Sequence, residues 1–152
     1  MNLNKIAAVS GAFDPVHAGH IHHLEDALRR SGAANLPLLI ILTRDDQLIA
    51  RKKFFFMSYK ERVECLEWGL KGRAIIVENI DKDITSAETL RAYKPKMYFK
   101  GGGAWSQYNL PEWSVCKELG IEVVFDVGGR EKEQSSTLLA KKAAESMKQP
   151  TV

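Results

Sequence analysis

Five short, almost uninterrupted apolar runs recur along this chain, each followed by a stretch with helical spacing, and no other feature narrows the fold as much. The runs are Lys5–Ser10, Leu36–Thr43, Ala74–Val77, Lys96–Lys100 and Glu122–Val127. Strands that are apolar at nearly every position are those covered on both faces. Strands that alternate with helices pair in parallel through right-handed crossovers. The expected architecture is α/β: one doubly wound parallel sheet of about five strands with helices on both faces.

The helical stretches carry their own punctuation. The first begins near Gly19, places Ile21, Leu24, Ala27 and Leu28 on one face, and stops before Gly32. Ser58-Tyr-Lys-Glu61 and Thr85-Ser-Ala-Glu88 both read as capping boxes, in which Ser or Thr and Glu each satisfy an orphan N–H. Val63, Leu66 and Leu70 form the buried stripe of the second helix, and the third stops before Pro95. A fourth has Pro111 in its first turn and ends at Gly120; the last starts around Ser135 and continues through Leu138, Leu139 and Ala143.

At 152 residues the chain fits one domain, expected over 1–147 with 148–152 as a frayed tail. No run approaches the ~18 apolar residues of a membrane span, and the N-terminus enters a strand pattern without a signal-peptide core. A cytoplasmic protein is expected, with Cys65 and Cys116 as buried packing thiols. The net charge of +3 suits small anionic ligands. The basic residues fall into short groups, Arg51-Lys52-Lys53 and Lys141-Lys142, and form no stripe for a duplex, so neither nucleic acid nor a membrane is an expected partner.

Chemistry concentrates after the first strand, in Ser10-Gly-Ala-Phe-Asp-Pro-Val-His17-Ala-Gly-His20. A strand that turns through glycine into a helix start binds anions, because the first helical N–H groups have no internal partner. His17 and His20, about one turn apart, add donors for phosphate oxygens; Gly19 leaves room for phosphate against backbone, and Gly11 permits a tight turn. Ser135, Ser136 and Thr137 offer hydroxyls and N–H groups at another helix start, while Arg130 and Lys53 add positive charge. A nucleoside triphosphate is the expected ligand. Asp14 either orients the loop by hydrogen bonding or helps to place Mg2+. His22 and His23 read as solvent-facing or helix-packing residues, and Phe54-Phe55-Phe56 as core or dimer contact; Trp105 and Trp113 either line a pocket or pack.

The stretch from Gly11 to His20 resembles the G-x-F-D-x-x-H-x-G-H signature of the HxGH nucleotidylyltransferase superfamily. Gln134-Ser135-Ser136-Thr137 is similar to that family's I-S-T-T hallmark, with Arg130 five residues before Ser135. Lys53 and Ser58-Tyr-Lys-Glu-Arg62 resemble the basic loop and S-Y-x-x-R helix start of its glycerol-phosphate cytidylyltransferases. Tyr98-Phe-Lys100-Gly-Gly102 is similar to the V-K-G-G stretch of the heptose-phosphate adenylyltransferases.

The resemblance implies a Rossmann-like, Mg2+-dependent enzyme. It would join a nucleoside monophosphate to a phosphorylated small molecule and release pyrophosphate. It implies catalytic roles for His17, His20, Lys53 and Arg130, and a nucleotide site of Gly11, Ala12, Phe13, His17, Gly19, His20, Lys53, Arg130, Ser135, Ser136 and Thr137. Arg51 and Arg62 are the implied acceptor contacts, and a homodimer is implied. CTP with a polyol or sugar phosphate is the leading pair. The alternatives are an adenylyltransferase using ATP and an inactive nucleotide sensor. Two departures stand out: Gly103 replaces the acidic residue usual after the paired glycines, and the run from Arg130 to Gln134 lacks the usual glycine and isoleucine.

Overall fold

The first apolar run becomes the centre of the sheet. In the computed structural model, which describes residues 5–129 and 135–148, β1 (Ala7–Gly11) pairs in parallel with β2 (Leu38–Leu42) on one side and β4 (Met97–Phe99) on the other. β3 (Ala74–Glu78) and β5 (Glu122–Val124) close the two flanks, giving an all-parallel sheet in the order β3-β2-β1-β4-β5. The chain order reverses between β1 and β4. Ligands of open α/β sheets bind outside the carboxyl ends of the strands at such a switch point. The register opens a crevice there. β4 ends at Phe99, opposite Val9, so Ser10 and Gly11 extend beyond it with ladder partners only in β2.

Helices cover both faces, as the strand pattern predicts. α1 (Ala18–Ala33) and α3 (Tyr59–Leu70) bring Leu24, Ala27, Leu66 and Leu70 onto Ala7, Val9, Leu38 and Ile40. α4 (Ala87–Tyr93) and α5 (Trp113–Leu119) bring Leu90, Val115 and Cys116 onto Ala8, Leu39, Ile41 and Tyr98. Neighbouring strand residues thus enter opposite cores, as the period of two requires. Each fully buried Leu or Ile contributes about 1.5–3 kcal/mol of transfer free energy. α6 (Ser136–Lys148) follows β5 and has no buried residue.

Four local expectations are corrected. α2 (Asp45–Lys52) was not anticipated, because it buries little beyond Gln47 and Leu48. Electrostatics and capping hold it: Asp45 and Asp46 sit in its first turn, and the Arg44 N–H donates to Gln47 Oε1 at 2.8 Å. α4 does not use its Thr85–Glu88 box. The buried Asp81 carboxylate instead accepts from the Glu88 and Thr89 N–H groups at 2.8 and 2.9 Å, a charged acceptor displacing a neutral hydroxyl. α5 begins at Trp113, after Pro111 rather than around it. Cys65 is exposed on α3; only Cys116 is a buried thiol, pushed up to about 11 chiefly by burial. Residues 149–152 lie outside the described residues, and no helix among those described is long and apolar enough to cross a membrane.

Candidate active site

The loop after β1 is tight, but not at its glycine. Gly11 is the last strand residue, and the space beside it is filled by the Phe13 ring, 3.0 Å from where a Cβ would sit. The left-handed backbone falls on Phe13 itself, at φ 51°, with its side chain buried in the core. A bulky residue in that region is strained, and such strain collects where a loop must be held in one shape. Asp14 does the holding. Its two carboxylate oxygens accept the N–H groups of Phe56 and Met57 at 2.9 and 2.7 Å, which joins the loop after β1 to the loop after α2. With both oxygens engaged and Asp14 buried, it orients the loop and is not arranged as a metal ligand. Among the described residues no group of three or more His, Cys, Asp or Glu is placed to hold a metal ion.

His17 occupies the N-cap of α1 and His20 lies in its first turn. Their rings stack at 3.7 Å between centroids, and His20 also lies 4.8 Å from Phe13. The His17 N–H donates to His20 Nδ1 at 3.3 Å. In the neutral ring that leaves the proton on Nε2, and His20 lines the crevice. Three residues further on, His23 is fixed in the opposite tautomer: its Nδ1–H donates to the Val127 carbonyl at 2.8 Å. Burial holds the His23 imidazole below its ordinary pKa, against the Val127 bond that favours the charged form. Asp26 completes the clamp by accepting the Gly128 N–H at 2.7 Å. α1 therefore grips the loop after β5 as well as carrying the two leading histidines.

These elements enclose a cavity of about 400 Å³, lined among others by Ala12, Phe13, His17, Gly19, His20, His22, His23, Gly101, Ser135 and Ser136. A second cavity of about 310 Å³ lies on the α2 side, lined by Thr43, Arg51, Thr85, Ser86 and Glu112. The two share Ser10, Gly11, Ala12, Lys52, Lys100 and Trp105, so they meet over the tip of β1 with two lysines at the seam. Lys100 Nζ lies 4.9 Å from the centre of the Trp105 ring and 5.4 Å from that of Tyr98. Burial pushes its ammonium below the usual lysine range; an anion at the seam would reverse that shift.

The remaining expected site residues divide. Arg51 lines the second cavity. Lys53 caps α2 in a left-handed conformation and is exposed, and Lys52 faces the crevice in its place. Ser135 and Ser136 line the first cavity, whereas Thr137 is exposed outside its lining. Ser135 also serves as a cap, its Oγ accepting the Leu138 N–H at 3.1 Å. Arg62 is corrected outright. It is fully buried, and donates to the carbonyls of Ala12 (2.8 Å), Thr43 (2.7 Å) and Met57 (3.0 Å) and to Asp45 Oδ1 (2.8 Å). Its guanidinium ties the ends of β1 and β2 to the start of α3 and has no face toward an acceptor. Arg130 and Gln134 lie outside the described residues. Phe54 and Phe56 are about half exposed, 50% and 47%, and pack edge-on against each other rather than in the core.

Comparison with known proteins agrees with this geometry. Residues 8–142 match the model of the Cytidylyltransferase-like family. The chain belongs to that family, within the HxGH nucleotidyltransferase superfamily. Among curated relatives, a probable nicotinate-nucleotide adenylyltransferase of Helicobacter pylori is 28% identical over 146 residues, covering 88% of this chain and 81% of its own length. FAD synthases of Methanothermobacter marburgensis and Methanothermobacter thermautotrophicus are each 37% identical over 60 residues; the match covers 40% of this chain and only 37% and 39% of theirs. A lipopolysaccharide core biosynthesis protein of Thermoplasma volcanium shares the fold, with a TM-score of 0.56 and 24% identity over 84% of this chain and 97% of that one. A macrolide-efflux protein of Streptococcus pneumoniae does so with a TM-score of 0.60 and 18% identity, over 90% of this chain and 51% of that one.

The sequence reading named Lys52 only within a basic run, passed over Glu112 and left Trp105 undecided; His22 and His23, read as solvent-facing or helix-packing, also line the larger cavity, His23 while packed against Val127. Trp105 lines both cavities; Trp113 packs, stacked on Phe125 at 6.1 Å. Lys100 was visible in its Lys-Gly-Gly run. Nothing in the local pattern around Glu112 marks it, because its importance comes from the meeting of α4 and α5.

Proposed function

We propose that the chain transfers the nucleotidyl group of ATP to a phosphorylated small molecule and releases pyrophosphate. The observation that carries the reading is the pair of cavities meeting at Lys52 and Lys100 over the tip of β1. A nucleotide in the larger cavity would set its phosphates against His17, His20 and the start of α6, and an acceptor phosphate would approach from the smaller one. The acceptor oxygen attacks the α-phosphorus, and the bond to the bridging oxygen of pyrophosphate breaks. No protein nucleophile is needed; positioning and charge stabilisation supply the catalysis. Mg2+ would ride on the triphosphate, neutralising its charge, since the described residues offer no carboxylate cluster for it. ATP is preferred to the CTP of the sequence reading because the relative matching most of the chain is named an adenylyltransferase.

The test is pyrophosphate release with Mg2+ and either ATP or CTP against a panel of phosphate esters. Turnover with ATP that falls about 10²–10³-fold in His20→Ala is expected, the usual loss for one transition-state donor. Turnover with CTP alone reverses the choice of nucleotide. Binding of neither nucleotide refutes the proposal.

A further inference from the structure

Glu112 carries an atom that the fold does not explain. It is 5% exposed at the start of α5, and its Oε1 accepts the Ser86 N–H at 2.9 Å, bridging the starts of α4 and α5. That bond accounts for one oxygen. The other, Oε2, is buried with no hydrogen-bond partner among the described residues. Leaving a charged acceptor unsatisfied is costly, so such an atom calls for an explanation. Among the described residues Glu112 is the one carboxylate lining the smaller cavity, whose other charged lining residues are Arg51, Lys52 and Lys100.

Arg51 and Lys52 enter from one side of β1, and Glu112 enters from the other, on the same flank as Lys100, which follows β4. Arg51 and Lys52 come from α2, which follows β2; Glu112 comes from α5, between β4 and β5. A ligand spanning the cavity would meet Arg51 and Lys52 on one side and a hydrogen-bond acceptor, with Lys100 on its flank, on the other. At about 310 Å³ the cavity lies at the small end of ligand sites, which run to roughly 1,000 Å³. An ammonium group is a poor match for Oε2, since Lys100 lines the same space. A neutral donor satisfies the oxygen without adding positive charge, and the hydroxyls of Thr85 and Ser86 stand in the same lining.

We propose that the smaller cavity is an acceptor subsite for a polyhydroxylated phosphate ester, with Arg51 and Lys52 holding the phosphate and Glu112 Oε2 accepting a hydrogen bond from a hydroxyl group. This rests on the two-cavity reading above and adds to it the residue that would recognise the hydroxyl groups of the polyol or sugar phosphate that the resemblance implies.

The experiment loads the protein with α,β-methylene-ATP, whose bridging carbon prevents transfer, and titrates four probes by calorimetry: glycerol 3-phosphate, ribose 5-phosphate, propyl phosphate and phosphoethanolamine. At least one hydroxylated ester should bind at least tenfold more tightly than propyl phosphate. Glu112→Gln keeps an oxygen for the Ser86 N–H but turns the Oε2 position into a donor. It should weaken the hydroxylated ester about 10–100-fold and leave α,β-methylene-ATP and propyl phosphate unchanged, which also shows that the variant is folded. The wild-type comparison stands even where the variant does not fold. Propyl phosphate or phosphoethanolamine binding as tightly as the hydroxylated esters overturns the proposal. So does an equal loss for all ligands in Glu112→Gln, or binding of no ester to nucleotide-loaded protein. In these cases nucleotidyl transfer survives as the function; failure of the α,β-methylene analogues of both ATP and CTP to bind overturns both.

Discussion

Adding one methyl group at Gly101 tests whether α1 and the loops it grips form one rigid wall. A Cβ there would lie 2.5 Å from His23 Nδ1 and 2.7 Å from the Val127 carbonyl oxygen. One obstacle is backbone and the other is a ring hydrogen-bonded to that same backbone, so neither swings aside freely. Forcing an extra carbon into a packed site costs about 1–3 kcal/mol, and breaking the bond from His23 to Val127 adds about 0.5–1.5 kcal/mol. Gly101→Ala should therefore lose about 2–4 kcal/mol. For a chain of this size that lowers Tm by roughly 4–16 °C, read by thermal and urea unfolding with unchanged m-value. Nucleotide affinity should fall with it, because Gly101 and Val127 line the larger cavity. Gly69→Ala is the matched control. Gly69 lies inside α3 with nothing within 4 Å of its Cβ position, so the same methyl should stabilise by about 0.5–1 kcal/mol. A Gly101→Ala protein that melts like wild type and binds nucleotide normally would refute the rigid-wall argument.

Three further outcomes follow from the geometry. Arg62→Met strands three carbonyls and Asp45, and should cost about 3–5 kcal/mol while leaving the KM for acceptor unchanged below the melting range; normal melting with weakened acceptor binding would restore Arg62 to the site. Lys52→Ala should reduce kcat/KM at least tenfold and Lys53→Ala less than twofold, since only Lys52 faces the crevice; steady-state kinetics would expose the reverse order. His23 is held below its unfolded value of about 6.5, so the unfolded chain binds the proton more readily. Its contribution to stability is present above pH 6.5 and lost as pH falls from there toward the folded value. Urea unfolding between pH 7 and 5 should show that slope, and His23→Gln, which retains an N–H for Val127, should flatten it.

The fold was legible because its signals are local. Five apolar runs, a Ser58 cap and a Gly120 stop require only neighbouring residues to be read. The leading histidines were legible for the same reason, their spacing placing one at the cap and the other in the first turn of α1. What failed was chosen by partners distant in sequence. Arg62 looks like a surface cation on α3 until Ala12, Thr43 and Met57 surround it. Asp14 did not fail, its loop-orienting role being the favoured one, but its partners, the N–H groups of Phe56 and Met57, arrive from 42 and 43 residues away and could not be named. Asp81 displaces Thr85 as the cap of α4 because burial, invisible in a capping pattern, strengthens a charged acceptor. Lys52 is the last residue of a short helix and Lys53 its left-handed cap, which turns them different ways, and no helix was read there from the sequence.

The placement of β1 has a consequence for how the chain is made. Its partner β2 lies 31 residues away, but β4, its partner on the opposite flank, lies 90 residues away. Closing the longer loop is entropically later work. While the chain emerges, β1 to β3 can assemble with one flank of the central strand still bare, and its Ala7, Ala8 and Val9 amides offer a template to any passing strand. The crevice that would receive a nucleotide is therefore completed only when β4 docks. A chain cut short of Met97 would lack one wall of the site and keep a sticky edge, so that losing function and gaining a tendency to aggregate would be one event.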